Sequence, residues 1–213
     1  IGFGGYVSVP GAIAAKIKRI PVVLHEQNSV AGSANRHLAK LAKVVFSAYP
    51  NAFGTNQKIT VIGNPVRADL IPKPNHTADA SPLNLLILGG SLGAQFLNES
   101  VPAAVALLPL NKRPNIRHQS GATTFDMTKS VYQSLQINAE VVPFIDDINA
   151  AYHWADLVIC RGGAMTLAEI RQVQLPAIII PLPNAIDNHQ KTNATYLTQH
   201  QAAIMFEQHL SSP

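Results

Sequence analysis

Cysteine is almost missing. Cys160 stands alone among 213 residues, so no intrachain disulfide can form, and a reducing compartment is the natural setting. Charge is sparse: 13% of residues are Asp, Glu, Lys or Arg. With 47% hydrophobic residues beside it, that composition fills a core and excludes a disordered chain. No apolar run approaches the ~18 residues of a bilayer span, and no segment reads as a signal peptide. Lys and Arg form no block, and no basic run is interleaved with aromatics. The formal charge of +4 and pI near 9.3 therefore argue for an anionic partner other than nucleic acid, such as a phosphorylated substrate or a lipid surface. An initiator Met is lacking too. The chain opens on Ile1-Gly2-Phe3-Gly4-Gly5, a glycine-rich loop with no strand before it. A fragment of a longer chain is expected.

What is present is a repeated strand–loop–helix pattern. The most informative stretch runs from Asp156 to Glu169. A short apolar run ending in Cys160 gives way to Arg161-Gly162-Gly163 and then to Ala164-Met165-Thr166-Leu167-Ala168-Glu169. That is a strand, a tight turn and a helix start. Unpaired amides and the positive end of a helix dipole suit a phosphate, and Glu169 lies where a carboxylate can accept from ribose hydroxyls. A plainer reading stays open. Thr166-x-x-Glu169 is also a capping box, in which Glu169 folds back onto a backbone N–H. Cys160, at the end of an apolar strand, reads as a small core residue rather than a nucleophile.

Elsewhere the pattern predicts strands over 21–24, 44–47, 59–62, 83–88, 115–118, 140–142, 157–160 and 176–180. Helices are predicted over 11–19, capped by Ser8, over 31–42, from about Ser100 and Pro102 to 108, over 123–135, and from Asp146 or Asp147 to 154. A last one starts at 187–190 and takes in Asn193, and no element is evident after it. Residues 69–82, with Pro72, Pro74, Pro82 and no apolar period, read as a linker between residues 1–68 and 83–213. Alternating strands and helices call for parallel sheets covered on both faces. Polar and glycine-rich groups follow the strands at 25–28, 63–67, 89–94, 144–145, 161–169 and 184–190, and a shared cleft explains that sorting. No group of residues has convincing metal-ligand spacing.

Several strings carry a resemblance. They are Gly2-Phe-Gly-Gly-Tyr6-Val-Ser8, His25-Glu-Gln-Asn28, Gly63-Asn-Pro-Val-Arg67 and Gly89-Gly-Ser91-Leu-Gly-Ala94, then Phe144-Ile-Asp-Asp147, Cys160-Arg-Gly-Gly-Ala164 and Asp187 through Asn193. Spanning nearly the whole chain in order, they resemble the glycosyltransferases that convert lipid I to lipid II in bacterial peptidoglycan synthesis.

The resemblance implies an α/β fold of GT-B type: two Rossmann-like, doubly wound parallel-sheet domains, the first incomplete here, with the active site between them. It implies inverting transfer of N-acetylglucosamine from UDP-N-acetylglucosamine to the 4-hydroxyl of the muramoyl sugar of lipid I (undecaprenyl-pyrophosphoryl-muramoyl-pentapeptide). No cofactor or metal is required by it. Ile145 would meet uracil through its backbone. Residues Ala164, Met165, Thr166, Leu167, Ala168 and Glu169 would hold diphosphate and ribose, Ser91 would touch phosphate, and Gln190 would read sugar hydroxyls. Asn28, Arg67, Asn98 and Asn193 would complete the substrate site. His189 stands where some members carry a second Gln.

The family's first glycine-rich loop, with its candidate base, and its C-terminal helices have no counterpart in this chain. His25, Glu26 and Tyr6 are the remaining acid/base candidates, and little or no turnover by the chain alone is expected. The resemblance also implies a peripheral location on the cytoplasmic face of the bacterial inner membrane. Lys16, Lys18 and Arg19, with Arg36, Lys40 and Lys43, fit an anionic membrane surface, with Leu38 and Leu41 nearby. The alternatives are another UDP-sugar enzyme of the same fold, a glycolipid transferase or an epimerase, and a non-catalytic nucleotide-binding module.

Overall fold

The computed structural model describes residues 1–54, 58–73, 82–183 and 188–208. In the N-terminal part, β1 (Val23–Glu26), β2 (Val44–Ser47) and β3 (Thr60–Val61) lie side by side in one parallel sheet. Gly2 adds a parallel bridge to Leu24 on the other side of β1. The helices α1 (Ser8–Ile17) and α2 (Ser33–Leu38) cover it, with Ala12, Val22, Leu24, Leu38 and Val45 forming the core.

The second sheet has six parallel strands: β4 (Asn84–Leu88), β5 (Asn115–Gln119), β6 (Ala139–Val142), β7 (Leu157–Cys160), β8 (Ala177–Ile179) and β9 (Ala203–Met205). Their order is β6-β5-β4-β7-β8-β9. The chain winds outward from β4, returns to its other side, and winds outward again from β7. That is the dinucleotide-binding order, whose crevice opens where the winding reverses. Alternate residues of β4 feed opposite layers. Leu85 and Ile87 pack under α3 (Gln95–Ala106) and α4 (Phe125–Ser134). Leu86 and Leu88 pack under α5 (Ile148–Trp154), α6 (Ala164–Val173) and α7 (His189–Gln199). A strand covered on both faces has to be apolar throughout, as this one is.

The structure corrects several boundaries. Helix α3 starts at Gln95, not near Ser100, and carries Pro102 inside it. An internal proline costs about 3 kcal/mol. Burying Leu97, Val101 and Val105 along one face returns about 1.5–3 kcal/mol for each, so packing prevails. Ser8 is not a cap: its hydroxyl donates to Gly5 O at 2.8 Å, and α1 has no side-chain cap. Helix α2 covers only six residues, and Leu38 faces the core at 2% exposure, not a membrane. Asp147 does cap α5, accepting from Ala150 N at 2.9 Å. Strand β9 was not expected at all.

Of the expected linker, residues 74–81 lie outside the described residues. Leu70 is buried in the core of the second sheet. Lys73 Nζ donates to Ala155 O at 2.8 Å and sits 3.0 Å from Asp156 Oδ1. The two parts also touch directly. Asn64 Nδ2 reaches Gln27 O (3.0 Å) and Ala164 O (3.4 Å), and Tyr49 meets Tyr196 edge-on at 5.1 Å.

Candidate functional site

Where β4 and β7 part, the loops leaving their C-terminal ends enclose a cavity of about 860 Å³. One wall is the loop Gly89 to Phe96, including Ser91. Arg161, Gly163, Thr166 and Glu169 form another. Phe144, Ile145 and Asp146 line it too, as do Leu182, Gln190 and Gln208, and Arg67 reaches in from the N-terminal part.

Close approach of backbone shapes both walls. Gly93 has φ +79°, and a Cβ there would lie 2.3 Å from Ser120 O. A Cβ on Gly162 would lie 2.3 Å from Gln190 O. Only glycine lets these loops sit so near their neighbours. Gln190 completes the second contact: its Oε1 accepts from Gly162 N (3.2 Å) and Leu182 N (3.0 Å). Behind the first wall, Asn98 Nδ2 donates to Ser120 O and Thr124 Oγ1, both at 3.0 Å. Asn98 Oδ1 is 3.0 Å from His118 Nε2, and His118 Nδ1 is 3.0 Å from Tyr132 Oη. An amide oxygen only accepts, so Nε2 carries the proton and Nδ1 takes the tyrosine hydrogen. Burial pushes His118 down to about 3, so it stays neutral.

The N-terminus of α6 opens into this space. Gly163, its N-cap, has no side chain to satisfy the first amides, and they are the unpaired donors of the helix. The capping-box reading fails, because Glu169 Oε2 accepts from Tyr152 Oη at 2.9 Å and the helix begins at Ala164. Its carboxylate faces the cavity, about a turn and a half from the amides. An anion fits at the amides, and a hydroxyl-bearing group fits at Glu169.

The structure brings together Arg67, Ser91, Ile145, Thr166, Glu169 and Gln190. Arg67 is not free: its guanidinium forks onto Asp69, with Nη2–Oδ2 at 2.9 Å. That carboxylate, with smaller contributions from Asp147 and Glu169, holds the guanidinium above its ordinary pKa. The amide of Ile145 donates to Gln119 Oε1 at 3.1 Å, so that N–H is already engaged within the protein. Ala164 and Leu167 turn their side chains into the core, so they offer backbone alone. Met165 and Ala168 are not among the walls.

Five expected residues are put to other use. Asn98 is fully buried in the network just described and cannot touch a ligand. Asn193 is fully buried as well: Oδ1 accepts from Ser29 N (2.8 Å), and Nδ2 donates to Gly162 O (3.1 Å) and Asn28 Oδ1 (3.2 Å). Asn28 is spent on Asn193 and Glu26 and lies off the cavity wall. His25 Nε2 donates to Gly63 O at 2.9 Å, while Nδ1 accepts from Gln27 Nε2 at 3.0 Å, so both ring nitrogens are engaged within the protein. Glu26, 3% exposed, accepts four N–H donors, from Asn28 N and Nδ2, Gly32 N and Asn35 Nδ2. It holds a loop. Tyr6 stands 86% exposed and away from the cavity.

Sequence reasoning missed Gln119 and Tyr152. Gln119 ends β5, and the rule that ligands lie beyond strand C-termini points to it. Nothing local marks Tyr152. Among the described residues, no group of three or more His, Cys, Asp or Glu is placed to hold a metal ion, and no helix is long and apolar enough to cross a membrane.

Residues 84–213 match the glycosyltransferase family 28 C-terminal domain, and residues 1–47 match the family's N-terminal domain. The UDP-N-acetylglucosamine–N-acetylmuramyl-(pentapeptide) pyrophosphoryl-undecaprenol N-acetylglucosamine transferase of Psychrobacter arcticus is 48% identical, over 100% of this chain and 62% of that protein. The enzyme of the same name from Ectopseudomonas mendocina is 47% identical, over 98% and 59%. The chain thus spans about three fifths of the length of these curated relatives. The crystal structure of Acinetobacter baumannii MurG superposes with a TM-score of 0.82 at 42% identity, covering 100% of this chain and 61% of that one. The kitacinnamycin glycotransferase, at 16% identity and a TM-score of 0.66 over 97% and 62% of the two chains, shares the fold alone. The fold is of the GT-B type. With a domain model covering residues 84–213 and another covering 1–47, the chain belongs to glycosyltransferase family 28.

Proposed function

We propose that this chain is the donor-binding part of an inverting transferase that moves N-acetylglucosamine from UDP-N-acetylglucosamine to the 4-hydroxyl of the muramoyl sugar of lipid I. The reading rests on one observation above all. The bare N-terminus of α6, the loop carrying Ser91 and the carboxylate of Glu169 face one cavity at the switch point of the sheet. In this reading the α6 amides and Ser91 take the diphosphate, Glu169 the ribose hydroxyls, and the Ile145 carbonyl the base. As the bond between the anomeric carbon and UDP breaks, negative charge gathers on the diphosphate. Oriented amides and the helix dipole stabilise that charge without reorganising. The new bond forms on the opposite face of the sugar as the acceptor hydroxyl loses its proton. The names and identities of the curated relatives support the choice of donor and acceptor.

Calorimetric titration of the chain with UDP, UDP-N-acetylglucosamine and ADP tests the donor half. Binding of the uridine ligands and not of ADP is expected, and no binding, or equal binding of all three, would overturn it.

A peripheral position on the cytoplasmic face of the inner membrane belongs to the same reading. Helix α1 exposes Ile13 and Ile17 beside Lys16, with Lys18 and Arg19 just beyond, a mixture suited to an anionic lipid surface. Co-sedimentation with liposomes should rise with anionic lipid and fall with salt.

A further inference from the structure

We infer that Tyr152 is a positioning residue for nucleoside recognition: its phenol holds Glu169 so that one carboxylate oxygen is aimed at the ribose 2′-hydroxyl. The inference rests on the nucleotide reading above and goes beyond it. Tyr152 lies on α5, 1% exposed, with its ring packed among Leu88, Val158 and Leu167. Tyr152 also lines the cavity, and its hydroxyl donates to Glu169 Oε2 at 2.9 Å.

The geometry has a chemical consequence. A glutamate on a helix surface has three rotatable bonds and samples several rotamers. Here one oxygen is tied to a ring that the core fixes in place. Glu169 Oε1 has no hydrogen-bond partner among the described residues. The carboxylate is thus held in one orientation before any ligand arrives, and the ordering cost of binding is lowered. Burial and the neighbouring carboxylate push the Tyr152 phenol far above its ordinary value, so it acts as donor throughout the accessible pH range. Each hydrogen bond from a ribose hydroxyl then meets a fixed, charged acceptor, the stronger class of such bonds.

A purely structural tyrosine would serve all ligands alike. A positioning tyrosine serves the 2′-hydroxyl in particular, and that difference can be measured. Calorimetry on the whole chain would compare UDP with 2′-deoxy-UDP, for wild type and for Tyr152→Phe, which keeps the packed ring. The expected result is an affinity for UDP weakened about tenfold, the order of one charged hydrogen bond partly lost, with 2′-deoxy-UDP nearly unchanged. In a Glu169→Ala background the same substitution should change neither affinity. Equal weakening of both ligands, or no weakening, would overturn the inference and leave the nucleotide reading intact. So would a Tyr152→Phe chain that fails to fold, because the phenol would then be a support of the core. Failure of the wild type to bind UDP would overturn the nucleotide reading and this inference with it.

Discussion

Asn193 Oδ1 accepts the backbone N–H of Ser29 at 2.8 Å, across 164 residues of chain and from one sheet to the other. The same amide donates to Gly162 O beside the cavity and to Asn28 Oδ1. One buried side chain therefore ties the loop after β1 to the loop after β7. Leaving a buried donor or acceptor unpaired costs about 1–3 kcal/mol. Asn193→Ala should lower stability by roughly 2–4 kcal/mol, read as the urea midpoint, with loss of UDP affinity secondary.

Glu26 is the matching case within the N-terminal part. Its four accepted hydrogen bonds make it the hub of the turn from β1 to α2. Glu26→Gln replaces an acceptor oxygen by a donor facing other donors. A stability loss of about 2–4 kcal/mol is expected, and any fall in UDP binding should follow the folded fraction. A fully stable Glu26→Gln chain that no longer binds UDP would return Glu26 to the site.

Glu169→Ala separates binding from folding. The helix does not use this carboxylate as a cap, so removing it should cost about 1 kcal/mol of stability, the low end for a stranded hydroxyl, because Tyr152 lines the cavity. Affinity for UDP should fall by about 1–3 kcal/mol, the range of a charged hydrogen bond. Thermal denaturation and calorimetry on the same sample distinguish the two effects.

Adjacent glycines should behave differently. Gly162→Ala forces a methyl to 2.3 Å from Gln190 O, and overpacking of that kind costs about 1–3 kcal/mol. On Gly163 a methyl would meet only Thr166 Oγ1, at 3.8 Å. Gly163→Ala should therefore leave the denaturation midpoint almost unchanged while hindering a ligand at the α6 amides, which nucleotide titration of both variants would reveal.

His118 gives a pH dependence with a defined sign. The unfolded chain takes up its proton near 6.5, the folded chain near 3. Between those values the unfolded state binds more protons, so stability falls as pH is lowered, by up to roughly 1.4 kcal/mol per unit. Above pH 6.5 the residue contributes no slope. Urea midpoints from pH 7 to pH 4 should show this, and His118→Gln should flatten the curve.

Most strands were legible because burial on both faces demands short apolar runs, and β4 and β7 are such runs. Strand β9 was not: its three residues leave Ile204 59% exposed, and only pairing with β8 makes them a strand. The start of α3 was misread because proline and serine are local signals, whereas Leu97, Val101 and Val105 answer to a core that the sequence does not display.

Residue types and their spacing determined the repeating strand–helix order, the two glycine-rich loops and the anion-ready start of α6, because backbone preference and hydrophobic period act over a few neighbours. Tertiary structure alone decided which polar side chains face the cavity. His25, Glu26, Asn98 and Asn193 are as polar as Glu169 and Gln190. The first four spend their hydrogen-bonding groups on backbone and side-chain partners, several of them far away in sequence. Such pairings form only when distant segments meet, so a hydrogen-bond inventory cannot be read from composition or local pattern.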